Sequence, residues 1–175
     1  LDNCGSCNGD CLGVDCDCYI SLSFGTIDDD AGTMEIIMDN TIPVLGFQFN
    51  ITGADLNFGD GSGGSAGDAG FQVQTGENIV IGFSMLANVI PAGSGVLTNL
   101  NFTPIADEAC ITGEILAPGE DYSGGFYNIN IGSCAALDCG EGNDADCTGA
   151  CGGSAVVDCA GECGGSAAED ECGVC

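Results

Sequence analysis

Twenty-seven aspartates and glutamates share this 175-residue chain with no lysine, no arginine and no histidine. Ordinary chains carry roughly a quarter charged residues of mixed sign, so the whole cationic half is missing and no side-chain salt bridge can form. Each carboxylate must be solvated, hydrogen-bonded by a neutral donor, or neutralised by a metal ion from solution. Two like charges 4 Å apart repel by about 1 kcal/mol even in water, and by more near protein. A compact state at a net charge of −27 therefore calls for dissolved cations, and divalent ones neutralise most per site.

The same absence excludes function classes. Histidine is the usual general base and the usual transition-metal ligand. Without lysine or arginine there is no phosphate clamp, no Schiff base and no electrostatic hold on nucleic acid, and anionic membranes are repelled. Glycoside hydrolysis by paired carboxylates needs no histidine. It does need a cleft and aromatic platforms, and this chain has no tryptophan and only 6% aromatic residues. An enzyme is not expected.

Fourteen cysteines are an even number near the density of a disulfide scaffold, which points to a secreted protein. Zinc competes for Cys4-Gly-Ser-Cys7 and Cys172-Gly-Val-Cys175, but thiolates would add negative charge to an anionic chain. The chain opens on Leu1, carries no signal peptide, and has no apolar run near the ~18 residues that span a bilayer. A processed mature chain, or a segment of a longer one, is the expectation, with no membrane insertion.

Composition divides the chain into three parts. Residues 1–18 are rich in Cys, Asp, Asn and Gly, and residues 135–175 return to Cys, Asp, Gly, Ala and Ser. In the second flank, Asp146-Cys147-Thr148-Gly149-Ala150-Cys151-Gly152-Gly153-Ser154-Ala155 recurs twelve residues later as Asp158-Cys159-Ala160-Gly161-Glu162-Cys163-Gly164-Gly165-Ser166-Ala167. A third unit starts at Asp170-Glu171-Cys172-Gly173-Val174-Cys175, and Asp2-Asn3-Cys4-Gly5-Ser6-Cys7 opens the chain in the same phase. Either this is coincidence in a low-complexity tail, or one unit of a longer array or polymer has been cut out.

Residues 19–134 alternate apolar and polar side chains between Gly-rich turns. Ile20, Leu22 and Phe24 are followed by Met34, Ile36 and Met38, then Phe47, Phe49 and Ile51. After a loop at Gly59-Asp60-Gly61-Ser62-Gly63-Gly64-Ser65 come Phe71 and Val73, then Ile79, Ile81 and Phe83. Val96, Leu100 and Phe102, then Ile111 with Ile115, and Tyr127, Ile129 and Ile131 complete the series. Period-two runs at about ten-residue intervals predict an all-β sandwich of about nine strands, with these apolar residues in its core and no helix.

Ile20-Ser21-Leu22-Ser23-Phe24, Ala31-Gly32-Thr33-Met34-Glu35-Ile36, Val44-Leu45-Gly46-Phe47-Gln48-Phe49 and Gly95-Val96-Leu97-Thr98-Asn99-Leu100-Asn101-Phe102 resemble a bacterial cohesin-type domain over residues 19–134. That resemblance implies a nine-stranded jelly roll, of the kind that binds dockerins in cellulosomes through one sheet face. The flanks resemble the acidic, Cys-rich type-3 repeats of thrombospondins, in which aspartates wrap calcium while disulfides pin the loops. This implies calcium as cofactor, with Asp2, Asp10, Asp15, Asp17, Asp138, Asp144, Asp146, Asp158 and Asp170 as candidate ligands. The flanks depart from the dense Asp-x-Asp-x-Asp-Gly loops of that family, keeping the spaced pair only at Asp15-Cys16-Asp17 and Asp144-Ala145-Asp146. Solvated acidic linkers are the alternative.

Cys110 and Cys134 are the cysteines inside the sandwich segment and are expected to pair. Five cysteines then remain in the first flank and seven in the second, so full oxidation needs a bridge between flanks. Cys18 to Cys139 is the candidate within one chain; Cys172 or Cys175 to Cys4 or Cys7 of a neighbour is the candidate between chains. Asn50-Ile51-Thr52 and Asn101-Phe102-Thr103 are sequons that could carry N-linked glycans. Both fall in predicted strands, so unmodified asparagine is the plainer reading. The function these features favour is a structural subunit of an extracellular filament or stalk, self-associating through its flanks. The alternative is a cohesin-like protein- or carbohydrate-binding adhesion module, which an apolar patch on one sheet face would reveal.

Overall fold

A computed structural model describes residues 18–118, 127–140 and 142–175. Their strands are β1 (Tyr19–Asp28), β2 (Thr33–Asn40), β3 (Val44–Thr52), β4 (Ala54–Gly61), β5 (Gln72–Glu77), β6 (Ile79–Phe83), β7 (Gly93–Pro104), β8 (Glu108–Pro118), β9 (Asn128–Ile131) and β10 (Ala135–Ala136). They hydrogen-bond in the order β10-β8-β3-β6-β5-β4-β7-β2-β1-β9. This one sheet curls so that β8-β3-β6-β5 and β7-β2-β1-β9 face each other, an all-β sandwich with β4 at the bend. Among the described residues no helix is long and apolar enough to cross a membrane.

Alternation selects the inward face of most strands. Ile20 and Leu22 of β1, Met34, Ile36 and Met38 of β2, and Phe47, Phe49 and Ile51 of β3 are all buried. Phe47 stacks between Phe49 and Phe71, with ring centroids 6.0 Å apart in both pairs.

Val96 of β7, opposite Ile37 of β2, stays outside the core it was expected to join, and two apolar runs face the other way from the expected core. In β6 the buried residue is Val80, and Ile81 is 36% exposed. Gly82 points inward beneath Phe47: a Cβ there would stand 2.0 Å from Phe47 Cζ, so the ring occupies the space a side chain would need. In β8 the pairing with β3 shifts register between Gln48 and Asn50. That bulge reverses the side-chain alternation, burying Leu116 and leaving Ile115 62% exposed.

The glycine-rich stretch expected as a loop supplies the end of β4 and the start of the one-turn helix α1 (Gly64–Asp68). β4 pairs β5 on one side and β7 on the other, closing the bend. The sheet also runs past residue 134: Ala135 and Ala136 pair with Ala109 and Glu108, and Leu137 is buried in the core.

Candidate functional site

The outward face of β8-β3-β6-β5 is built by the two reversed runs. Register aligns Ile115, Gln48, Ile81 and Gln74 in one row across the four strands. Ala117, Gly46, Phe83 and Gln72 form the next row, and Thr112, Asn50, Ile79 and Gly76 the one beyond. A bulge between Leu56 and Gly59 of β4 turns Phe58 outward, 83% exposed, with its ring against Gly76. None of these positions carries a carboxylate, although the chain has 27. These rows form a plane of isoleucine, phenylalanine and amide side chains, with the carboxylate of Glu108 at its edge.

The outward face of the other half is different. Asn130, Ser21 and Asp39 share a row, as do Glu35 and Asn99; Ile37 and its register partner Val96 are the apolar exceptions. The two faces of one sandwich thus differ in kind.

The second flank is docked at the end of the sandwich where β1 turns into β2 and β7 into β8. Leu137 N donates to Asp107 O at 2.8 Å, Asp107 N to Gly149 O at 2.9 Å, and Cys151 N to Ile105 O at 3.1 Å. The twelve-residue repeat, whose first unit forms part of the dock through Gly149 and Cys151, appears as a repeated loop. Asp146 Oδ1 accepts from Thr148 N at 2.8 Å and Ala150 N at 3.3 Å, and Oδ2 from Ala155 N at 2.9 Å. Asp158 does the same with Ala160 N, Glu162 N and Ala167 N, and Asp170 with Cys172 N and Val174 N. Gly153 and Gly165 make room, since a Cβ at either would lie 2.1 Å from the Oδ2 of Asp146 or Asp158.

Hydrogen bonds to the charged form favour it. The Thr148 hydroxyl, then the Ala155 amide, hold the Asp146 carboxyl down to about 2. The Glu162 amide lowers Asp158, and the Val174 amide lowers Asp170. Three of the nine expected calcium ligands therefore bind their own backbone. Asp138 accepts from Gly140 N at 2.9 Å, and Asp144 lies in the docked turn. Asp2, Asp10, Asp15 and Asp17 lie outside the described residues. Among the described residues the one close group of potential ligand atoms is Glu108, Cys110 and Cys134, and its two sulfurs are joined as a disulfide.

Cys110 and Cys134 are bonded at 2.01 Å, tying β8 to the segment after β9. The expected Cys18–Cys139 bridge is not formed: Cys139 is bonded to Cys151, and Cys18 takes part in another disulfide. Cys18 precedes β1, whereas Cys139 lines a cavity with Asp29, just past the far end of that strand. Ten strand residues separate the two by about 30 Å, far beyond the reach of a disulfide. Cys147–Cys163 and Cys159–Cys175 continue the flank, leaving Cys172 as an exposed free thiol. Asn50 is half-buried on the apolar face, and Asn101 is exposed on the polar one.

No family model matches the chain, and no curated protein matches it. Among solved structures it is similar to a chain of the CaDoc0917–CaCohA2 complex, with 19% identity over 69% of this chain and 100% of that one, at a TM-score of 0.42. A non-cellulosomal cohesin from the archaeon Archaeoglobus fulgidus is 14% identical over 69% of this chain and 91% of its own, at 0.45. A type III cohesin module from the cell-surface anchoring scaffoldin ScaE of Ruminococcus flavefaciens is 13% identical over 57% and 66%, at 0.36.

Proposed function

We propose that this chain is a non-enzymatic protein-binding module of an extracellular or cell-surface assembly, and that the outer face of β8-β3-β6-β5 is its binding surface. The observation that carries this reading is the absence of carboxylates from the three central rows of that face, on a chain of charge −27; the exposed Glu108 of β8 lies beyond them, at the edge. A partner can cover Ile115, Ile81, Phe83 and Phe58 without stripping water from an anion, and desolvating unpaired charge is the main cost of burying an acidic surface. Apolar and aromatic side chains with a few amides are the composition of an interface core. The surrounding acids would favour a partner with a basic rim, raising the association rate. The resemblance to cohesins implies the same mode, binding through one sheet face. Disulfides in the flank fit an oxidising compartment.

Ile81→Asp and Ile115→Asp test the reading. Both side chains are exposed, so the melting temperature should stay close to the parent's. Immobilised parent chain should retain a partner from the extracellular fraction of its source, and both variants should lose it. Retention of the same partner by both variants would exclude this face.

A second reading, a subunit of a fibre or tandem array, is favoured by geometry. The first flank enters beside Cys18 at one end of β1, and the second docks at the other end, as a head-to-tail arrangement requires. The exposed Cys172 thiol would be a point of linkage. Non-reducing electrophoresis of native material should then give a ladder that collapses on reduction and is lost in Cys172→Ser; a single monomer band would reject covalent joining.

A further inference from the structure

At the docked end of the sandwich lies a cavity of about 490 Å³. Four carboxylates wall it over a floor that includes Ala136 and Ala145: Asp29 from the β1–β2 turn, Asp107 from the β7–β8 turn, and Asp138 and Asp144 from the flank. Asp29 Oδ1 is singular. Less than 1 Å² of it reaches solvent and no donor bonds to it, and among the described residues it is the one buried side-chain oxygen or nitrogen in that condition. An anionic oxygen withdrawn from water needs a counter-charge. This chain has no cationic side chain to offer one, so a cation from solution is the counter-charge available to it.

The walls are held from several directions. Asp107 is fixed by its own amide and carbonyl, which bond Gly149 O and Leu137 N, and its Oδ1 packs against Gly149, where a Cβ would stand 2.6 Å away. Asp138 uses Oδ1 to accept from Gly140 N, which leaves its other oxygen. The Cys139–Cys151 bridge closes the flank beneath. Among the described residues no three carboxylates bring their oxygens within 4.8 Å of one another. That spacing suits mutually repelling anions, and a bound cation would have to draw them together by rotation about their side-chain torsions.

We propose that this junction binds one hard divalent cation, calcium, through the carboxylates of Asp29, Asp107, Asp138 and Asp144. The donors are all oxygen, with no imidazole, and the nearby Cys139 sulfur is held in a disulfide, which disfavours zinc. Calcium takes six to eight oxygens at 2.3–2.6 Å in flexible geometry, waters included, whereas magnesium demands a tight octahedron. Such a site clamps sandwich to flank. It uses two sandwich residues outside the expected ligand set, and it stands apart from the proposed binding face.

The test is calorimetric titration of calcium chloride into the full chain, stripped with chelator, in 150 mM sodium chloride. Asp29→Asn and Asp29→Asn/Asp107→Asn are compared with Asp30→Asn, an exposed neighbour in the same turn. Losing even an outer-shell partner weakens a metal site roughly tenfold to a hundredfold. A loss of at least that size is expected for Asp29→Asn, a larger one for the double variant, and none for Asp30→Asn. Heat of binding unchanged in Asp29→Asn, or an equal loss in Asp30→Asn, would overturn the site. So would parent chain that takes up no calcium at this ionic strength.

Discussion

Phe49→Ala is expected to lower stability by about 3–5 kcal/mol, the range for emptying an aromatic core site. Phe49 has no exposed surface and sits mid-strand in β3, the strand that hydrogen-bonds both β6 and β8. Its ring stacks on Phe47, which in turn stacks on Phe71, so truncation opens a cavity and removes one member of a ring series. The neighbours cannot collapse inward cheaply, because Phe47 is already seated on Gly82. For a domain of this size the melting temperature should fall by roughly 6–20 °C, read by circular dichroism. Phe58→Ala, on an exposed ring, should stay within about 0.5 kcal/mol. Near-equal effects of the two would mean that the core is centred elsewhere.

The contrast between those two phenylalanines shows where the sequence is legible. A period of two names the strand but leaves the inward face to be chosen. For β1, β2 and β3 the choice is easy, because the alternate residues are mostly polar or small, Ile37 of β2 excepted. In β6 the alternates of Ile79, Ile81 and Phe83 are Val80 and Gly82, and apolar weight favours the wrong set. What decides is long-range: Phe47, from a strand more than thirty residues earlier, occupies the space over Gly82. In β8 the decision rests on a one-residue bulge against β3, which no local pattern in β8 reveals. The differences in β6 and β8 fall together on one face, and that face carries the proposed function. Apolar residues beyond what the core uses are what a binding surface adds to a strand's pattern.

The flank was legible in its period and opaque in its chemistry. Asp146, Asp158 and Asp170 recur every twelve residues because each accepts amides two and four positions ahead, and the first two also accept one nine ahead. Spacing identifies the repeat, but it cannot say whether an aspartate serves a metal or its own loop. The disulfides are also offset from the repeat. Cys147–Cys163 and Cys159–Cys175 each span 16 residues, joining the first cysteine of one unit to the second of the next. The junction cavity was illegible for a plainer reason: Asp29 and Asp107 come from turns 78 residues apart and meet only in the folded chain.

Removing the Cys110–Cys134 bridge in a Cys110→Ala/Cys134→Ala double variant should cost about 3–3.5 kcal/mol, the chain-entropy value for a closed loop of this length. The bridge spans a sequence separation of 24 and crosses from β8 to the stretch between β9 and β10. β9 pairs β1 in parallel through four residues, and β10 pairs β8 through two. Neither short ladder holds its segment strongly, so the covalent tie does much of the holding. The seat of Leu137, two residues past the end of β8's pairing with Ala135, depends on the same tie. Both cysteines are replaced because a lone thiol could exchange with the flank bridges. The unfolding midpoint should fall by roughly 6–14 °C. Cys159→Ala/Cys175→Ala provides the comparison, because that bridge closes a separation of 16 in exposed loops beyond the dock. It should loosen the repeat and leave the sandwich midpoint unchanged. A drop below about 1 kcal/mol for the first pair would mean that hydrogen bonding alone seats β9 and β10. Equal drops for both pairs would mean that sandwich and repeat unfold as one cooperative unit.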